Sequence, residues 1–377
     1  MRRPGATLAV MLCIVACGGG RHEGCGKPPL EALEASQAAT LAPGNEAGQD
    51  EDPAVLVTRL PDALYAAWYS NRLGAHPDGL ARKEILVTRS TDGKAWSTPV
   101  AATDAQAWSF YPSLAREPNG VFHLAWMRWR LLPEGCIYFD AAHCPGTPGC
   151  CTGTDRRIWQ NVSFDGLAFD EASAIAISPG PDDQHPAMVA TSDGRMLVYF
   201  TSGYRAGDTR RRIDVAVRDA AGWHAPVEAA GLASGSNDAF PHVVERGPGE
   251  FLMAFTRHDL ALGENVLDRS AETMLSTSAD GLTWTAPVVA SGPDAAHTDV
   301  FPWLFAERNG TWSVAWVRED GTVVRPVAGP FTGEPEHLPV PGYTPRIVRT
   351  PTPEIVWAVW VEGMEPTQQV RYRFLER

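Results

Sequence analysis

Along most of this chain, short apolar runs alternate with tight polar turns that carry glycine, and no convincing amphipathic helix interrupts them. Gly120-Val121-Phe122-His123-Leu124-Ala125-Trp126 is one such run. Val, Thr, Phe and Tyr crowd these segments and tryptophan is abundant, as β-structure favours. Two patterns recur. The first is the turn S-x-D-G-x-x-W, seen as Ser90-Thr91-Asp92-Gly93-Lys94-Ala95-Trp96 and Ser278-Ala279-Asp280-Gly281-Leu282-Thr283-Trp284. Ser163-Phe164-Asp165-Gly166-Leu167-Ala168-Phe169 repeats it with Phe for Trp, and Arg218-Asp219-Ala220-Ala221-Gly222-Trp223 is a worn copy. Aspartate caps such a turn by accepting backbone N–H groups, and glycine supplies the positive φ that other residues resist. The second pattern is a proline, usually after an aromatic residue, then a short strand, a turn, and a second strand ending in an aromatic residue. Its prolines are Pro53, Pro112, Pro186, Pro241, Pro302 and Pro345, and its strand-end aromatics are Trp68, Trp126, Phe200, Phe255, Trp316 and Trp360. Proline is expected at the first position of each strand, where no ladder donor is needed. Pro53 and Ser90 stand as far apart as Pro241 and Ser278, so the register repeats. The chain therefore reads as six copies of one β unit.

The S-x-D-G-x-x-W turns resemble the Asp-box of the sialidase superfamily. From about Pro53 to the C-terminus, that resemblance implies an all-β, six-bladed β-propeller of four-stranded antiparallel blades. The fifth unit lacks its turn motif, and the sixth, Arg346 to Leu375, lacks an outer strand. The segment before Pro53 is expected to supply that strand and close the ring. Strand one begins, and strand two ends, on one face. The turns built on Asp92, Asp165 and Asp280 lie on the other and read as structural.

On the strand-start face two groups recur at fixed offsets. Asp183, Asp238 and Asp299 each stand three residues before a repeat proline, as does Asp50. Arg128, Arg257 and Arg318 each stand two residues past a strand-end aromatic, where the other units carry Ser70, Ser202 and Glu362. Two readings stay open. The arginines could fork around a ligand carboxylate, with His258 and Glu362 joining the pocket. Alternatively, each arginine ties to an aspartate and braces the ring. The resemblance to sialidases implies an arginine triad, a tyrosine nucleophile assisted by a glutamate, and an acid aspartate. Tyr343 matches the tyrosine and Arg257 one triad arginine, with Asp238 as a possible partner and Asp78 a candidate acid. The family's Arg-Ile-Pro is replaced by Asp52-Pro53-Ala54, and Pro241 stands where the glutamate is expected. A binding module for a glycan or small acidic ligand is therefore the leading reading. An exo-glycosidase with Tyr343 as nucleophile and a protein-interaction scaffold are the alternatives. No cofactor is required, although the aspartates near the axis could hold Ca²⁺.

Arg2 and Arg3 precede an apolar run, Ala6 to Ala16, too short to span a bilayer. Small residues before Cys17 resemble a lipobox, which implies residues 1–16 as a signal peptide and a lipidated Cys17. Gly18 after it implies sorting to the outer membrane. Residues 17–52 read as a flexible tether in which Ala38 to Leu41 could pair as a strand. The formal charge of −13 argues against nucleic-acid or anionic-lipid partners. Cys136, Cys144, Cys150 and Cys151 cluster in one long insertion, where export favours disulfides over zinc. A monomer is expected, anchored in the envelope only through its lipid.

Overall fold

The computed structural model describes residues 33–41, 50–59, 62–71, 83–104, 107–130, 155–170, 173–180, 182–203, 210–229, 231–232, 237–258, 271–292, 297–328, 331, 333–352, 354–363 and 368–377. Among them every regular element is a β-strand, apart from one residue of 3₁₀ turn. Within each unit the chain runs as an antiparallel meander, with strand one innermost. The first unit, for example, orders Asp50–Arg59, Asp62–Ser70, Glu84–Ser90 and Val100–Ala101 side by side. The expectation of six separate blades is not met: the strands form four separate four-stranded blades and one nine-stranded sheet. That sheet holds the strands of the second and third units, joined by one parallel pairing between Arg156 and Asp182. The same two residues form a buried ion pair at 2.8 Å, which pins the outer region of one meander to the inner strand of the next.

The closing strand comes from the segment read as tether. Ala39–Thr40 pairs antiparallel with Gln369–Glu376, with Ala39 opposite Tyr372. Leu33 and Leu41 are buried among Trp357, Tyr372 and Phe374 of the last unit and Trp68 of the first. The boundary at residue 52 is therefore corrected: residues 33–41 and 50–52 belong to the folded ring. Burial of two leucines, at about 1.5–3 kcal/mol each, outweighs the flexibility suggested by the surrounding Gly, Ala and Glu.

The core lies between units rather than inside any one sheet. Apolar clusters join units one to three, three and four, four and five, five and six, and six back to one. All six strand-end aromatics, Trp68, Trp126, Phe200, Phe255, Trp316 and Trp360, are fully buried. The S-x-D-G turns lock neighbours together. In each, the serine Oγ accepts the aspartate and glycine N–H groups, and the aspartate Oδ1 accepts the next two. These backbone donors hold the Asp92 and Asp165 carboxyls below their usual range. The glycine then abuts the preceding unit: a Cβ on Gly166 would lie 2.6 Å from Tyr65, and one on Gly281 2.6 Å from Leu197. Trp96 stacks on Trp357, which carries the same contact across the junction of the first and last units.

Each repeat proline sits inside its strand, not at the start. Between Glu51 and Ala54 the first unit inserts one extra residue against Tyr69 and Ala67, and the other five units repeat this bulge. A bulge is the one place within a sheet where the missing proline N–H costs no ladder bond. The residue before each proline takes a positive φ: Asp52, Tyr111, His185, Phe240, Phe301 and Thr344 lie between 43° and 55°. That conformation is uncommon for such side chains. Its sixfold recurrence marks a device of the fold, one that turns six side chains toward the axis.

Candidate functional site

The offsets read from sequence are real, but they pair residues with each other. The residue three before each proline lies directly across the ladder from the residue two past the strand-end aromatic: Asp238 faces Arg257, Asp183 faces Ser202 and Ser109 faces Arg128. Arg257 forks onto Asp238 through Nε and Nη2 at 2.8 and 2.9 Å. Arg318 donates to Asp299 at 2.9 and 3.4 Å, and Trp316 Nε1 donates to the same carboxylate at 2.6 Å. Arg128 pairs with Asp104 and lies over Trp159. Of the two readings, the structure brings together in-unit ties, not an arginine cluster around a common pocket. Asp183 accepts the Gly180 N–H at 2.7 Å, His258 is buried, and Glu362 pairs with Arg371. Among the described residues no three His, Cys, Asp or Glu side chains converge on a metal position. Asp183, Asp238 and Asp299 therefore do not form the Ca²⁺ site considered from sequence.

Tyr343 is 43% exposed and its hydroxyl donates to the Gly363 carbonyl at 3.0 Å. Asp238, the partner proposed for it, is committed to Arg257, so the catalytic pair expected from sequence is not assembled. Cys17, Cys136, Cys144, Cys150, Cys151 and Asp78 lie outside the described residues.

The strand-start face instead gathers a different set. Glu51 accepts from the Tyr69 hydroxyl and from Lys83 Nζ, both at 2.5 Å. Lys83 also lies over the rings of Tyr69 and Phe110. Two units on, Asp182 accepts from Arg156 at 2.8 Å and from the Gln184 amide at 2.7 Å, and Arg156 lies over Trp129. Glu51, Phe110, Gln184 and Tyr343 all stand two residues before a repeat proline. Tyr343 and Glu51 thus hold equivalent places in the last and first units, whose inner strands adjoin at the ring closure.

One residue further along each strand is the axial ring. Tyr111, His185, Phe240 and Phe301 touch in sequence, with centroids 4.1, 4.3 and 4.5 Å apart. Asp52 and Thr344 occupy the remaining ring positions. A cavity of about 270 Å³ starts at this ring and runs along the inner strands to Ala306, Trp312 and Arg349. Asp52, Tyr111, His185, Phe240, Phe301, Trp303 and Arg346 of its lining are half-buried. Burial there raises the Asp52 carboxyl to about 6; Arg346 pulls it back and Glu51 pushes it up. Burial likewise lowers Arg346 to about 10, against the pull of Asp52, and holds His185 and His242 well below their usual value, hence neutral. His242 Nδ1 accepts the Leu304 N–H at 3.0 Å, as a neutral imidazole can. None of Glu51, Lys83, Asp52, His185 or Arg346 was singled out from sequence. An offset of one or two residues from each proline, rather than three, would have found most of them.

Comparison with solved structures shows the propeller fold. An α-L-arabinanase from Penicillium chrysogenum, complexed with arabinobiose, superposes with a TM-score of 0.68 at 15% identity, covering 91% of this chain and 99% of that one. A protein of unknown function from Dyadobacter fermentans gives 0.67 at 14%, covering 91% and 98%. A sialidase from Streptococcus pneumoniae gives 0.59 at 13%, covering 92% and 70%. No protein-family model and no curated protein matches the sequence. At these identities the likeness carries the fold alone: an all-β, sialidase-like propeller.

Proposed function

We propose that this chain is a lipid-anchored protein of the cell envelope whose propeller binds a glycan on its strand-start face. In this reading the six sequence units are six blades, with the nine-stranded sheet counting as two that share one parallel pairing. The observation that carries the glycan is the set around Glu51, where its carboxylate, the Tyr69 phenol and the Lys83 ammonium meet over the buried Phe110 ring, with the exposed ring of Tyr343 at the equivalent place in the adjoining unit. Sugars are held by such pairings of flat rings with directed polar groups. The fold neighbours include proteins named for arabinan and for sialic acid chemistry, which supports a saccharide over a peptide. An array of bacterial and host glycans, probed with the purified protein, tests this. Lys83→Ala should weaken any hit at least tenfold, whereas Arg257→Ala, whose guanidinium is committed to Asp238, should not remove it at a temperature where the variant is folded. An empty array, or hits indifferent to Lys83, would overturn the reading.

One observation favours a hydrolase as the second reading: a phenol and a carboxylate, Tyr343 and Glu51, stand at equivalent positions of adjoining units. A panel of fluorogenic sialosides and arabinosides that stays dark with the wild-type protein eliminates it.

A further inference from the structure

The cavity below the axial ring has a lopsided wall. The residue after each repeat proline lines it, and around the ring these are Ala54, Ser113, Ala187, His242, Trp303 and Arg346. Three of these are small and follow one another around the ring, and three are large. The large half is stacked: the His242 and Trp303 rings are 3.5 Å apart, and the Arg346 guanidinium lies 4.7 Å over Trp303. This stack fixes the guanidinium in place. Yet its one hydrogen bond among the described residues goes to its neighbour, the Pro345 carbonyl, at 3.2 Å. Asp52 acts on it through space without forming an ion pair. Arg346 is half-buried at the cavity wall, so most of its five N–H donors are left for a ligand or water in the cavity. On the opposite side of the ring position, His185 Nδ1 is also buried with no partner among the described residues.

We propose that this cavity is a binding site for a small organic monocarboxylate, its carboxylate forked by Arg346 and its apolar body laid against Ala54, Ser113 and Ala187. A planar guanidinium matches a carboxylate in both shape and charge. The second lining arginine, Arg349, donates to the Glu307 carbonyl, and the nearby Asp52 with the walls of Phe240, Phe301 and Trp303 selects against a multiply charged ion such as phosphate. The volume, about 270 Å³, falls just under the ~300 Å³ at which pockets for drug-sized ligands begin, so the guest has few heavy atoms. The site is separate from the glycan face. No residue earlier than the axial ring lines it, and it extends from the ring toward the turns that join strands one and two. The two proposals therefore stand or fall independently.

Saturation-transfer NMR on the full chain at fixed ionic strength tests it, with acetate as probe, acetamide as neutral isostere and inorganic phosphate as competitor. Acetate should bind saturably in the millimolar range expected for a ligand of this size. Acetamide should not bind, and phosphate should not displace it. Asp52→Asn removes the opposing carboxylate and should tighten acetate at least about threefold at neutral pH. Arg346→Met should abolish the saturable signal. Ala187→Met, which fills the small half without touching the cation, should abolish it too, and decides the matter should Arg346→Met fail to fold. Acetate binding no tighter than acetamide, displacement by phosphate, or undiminished binding in Ala187→Met or in folded Arg346→Met overturns the assignment.

Discussion

Replacing Arg318 with methionine separates a structural tie from a ligand-binding arginine. Arg318 and Asp299 are both nearly inaccessible, with side chains 5% and 2% exposed, and the carboxylate also takes the Trp316 indole N–H. Methionine keeps the aliphatic bulk of arginine but leaves Asp299 charged and facing only the indole. Breaking a buried pair from one side costs about 3–5 kcal/mol, because the remaining charge is stranded. For a ring of this size each kcal/mol lowers Tm by roughly 2 °C, so the loss should be about 6–10 °C by circular dichroism, with a matching fall in the urea midpoint. Asp299→Asn in the same chain retains an acceptor for Trp316 and removes the stranded charge. The double variant should recover about half the loss, and the cycle should return a coupling of at least about 2 kcal/mol, larger by whatever Asp299→Asn costs alone. Arg128 supplies the contrast: its partner Asp104 is 39% exposed, so Arg128→Met should cost no more than about 1 kcal/mol. If Arg318→Met left Tm unchanged while abolishing binding of a glycan ligand, the pairing argument would be refuted and the triad-like reading restored.

Two further outcomes follow from the same geometry. Gly166→Ala should destabilise the fold by at least about 2 kcal/mol, since it combines a φ of 76° with a Cβ only 2.6 Å from Tyr65. Gly194→Ala, at a φ of 87° but in open space, should cost about 1 kcal/mol; equal losses for the two would show that docking against the neighbouring unit contributes nothing. Asp52 should give a pH signature. Its folded carboxyl titrates near 6, above the unfolded value of 3.8, so its contribution is fully present below pH 4 and is lost as pH rises through 6. The stability of Asp52→Asn relative to wild type should therefore climb by roughly 2 kcal/mol between pH 4 and pH 7 in urea titrations. Taking the difference matters, because His185 and His242, held neutral, favour the folded state above pH 6.5 and so act in the opposite sense in both proteins. A flat difference would mean that Asp52 is not enclosed.

What the sequence determined by itself is what repeats along the chain. The D-G turns, the prolines and the strand-end aromatics recur because each unit solves the same local problem, so local chemistry was enough to read an all-β repeat fold. It also revealed that Asp238, Asp299, Arg257 and Arg318 hold equivalent places. Only the tertiary structure decided which of these equivalent residues meet. The one-residue bulge at each proline sets the ladder so that the aspartate three before it faces the arginine of its own unit, and no spacing argument could supply that register. The same bulge turns the residue before proline inward, so the axis is lined by Asp52, Tyr111, His185, Phe240 and Phe301; the aromatic-proline pair was legible in the sequence, but not that its rings meet one another. The cavity is less legible still. It is lined from all six units, by Ala54, Ser113, Ala187, His242, Trp303 and Arg346 among others, and that sum over six strands is a property of the closed ring alone.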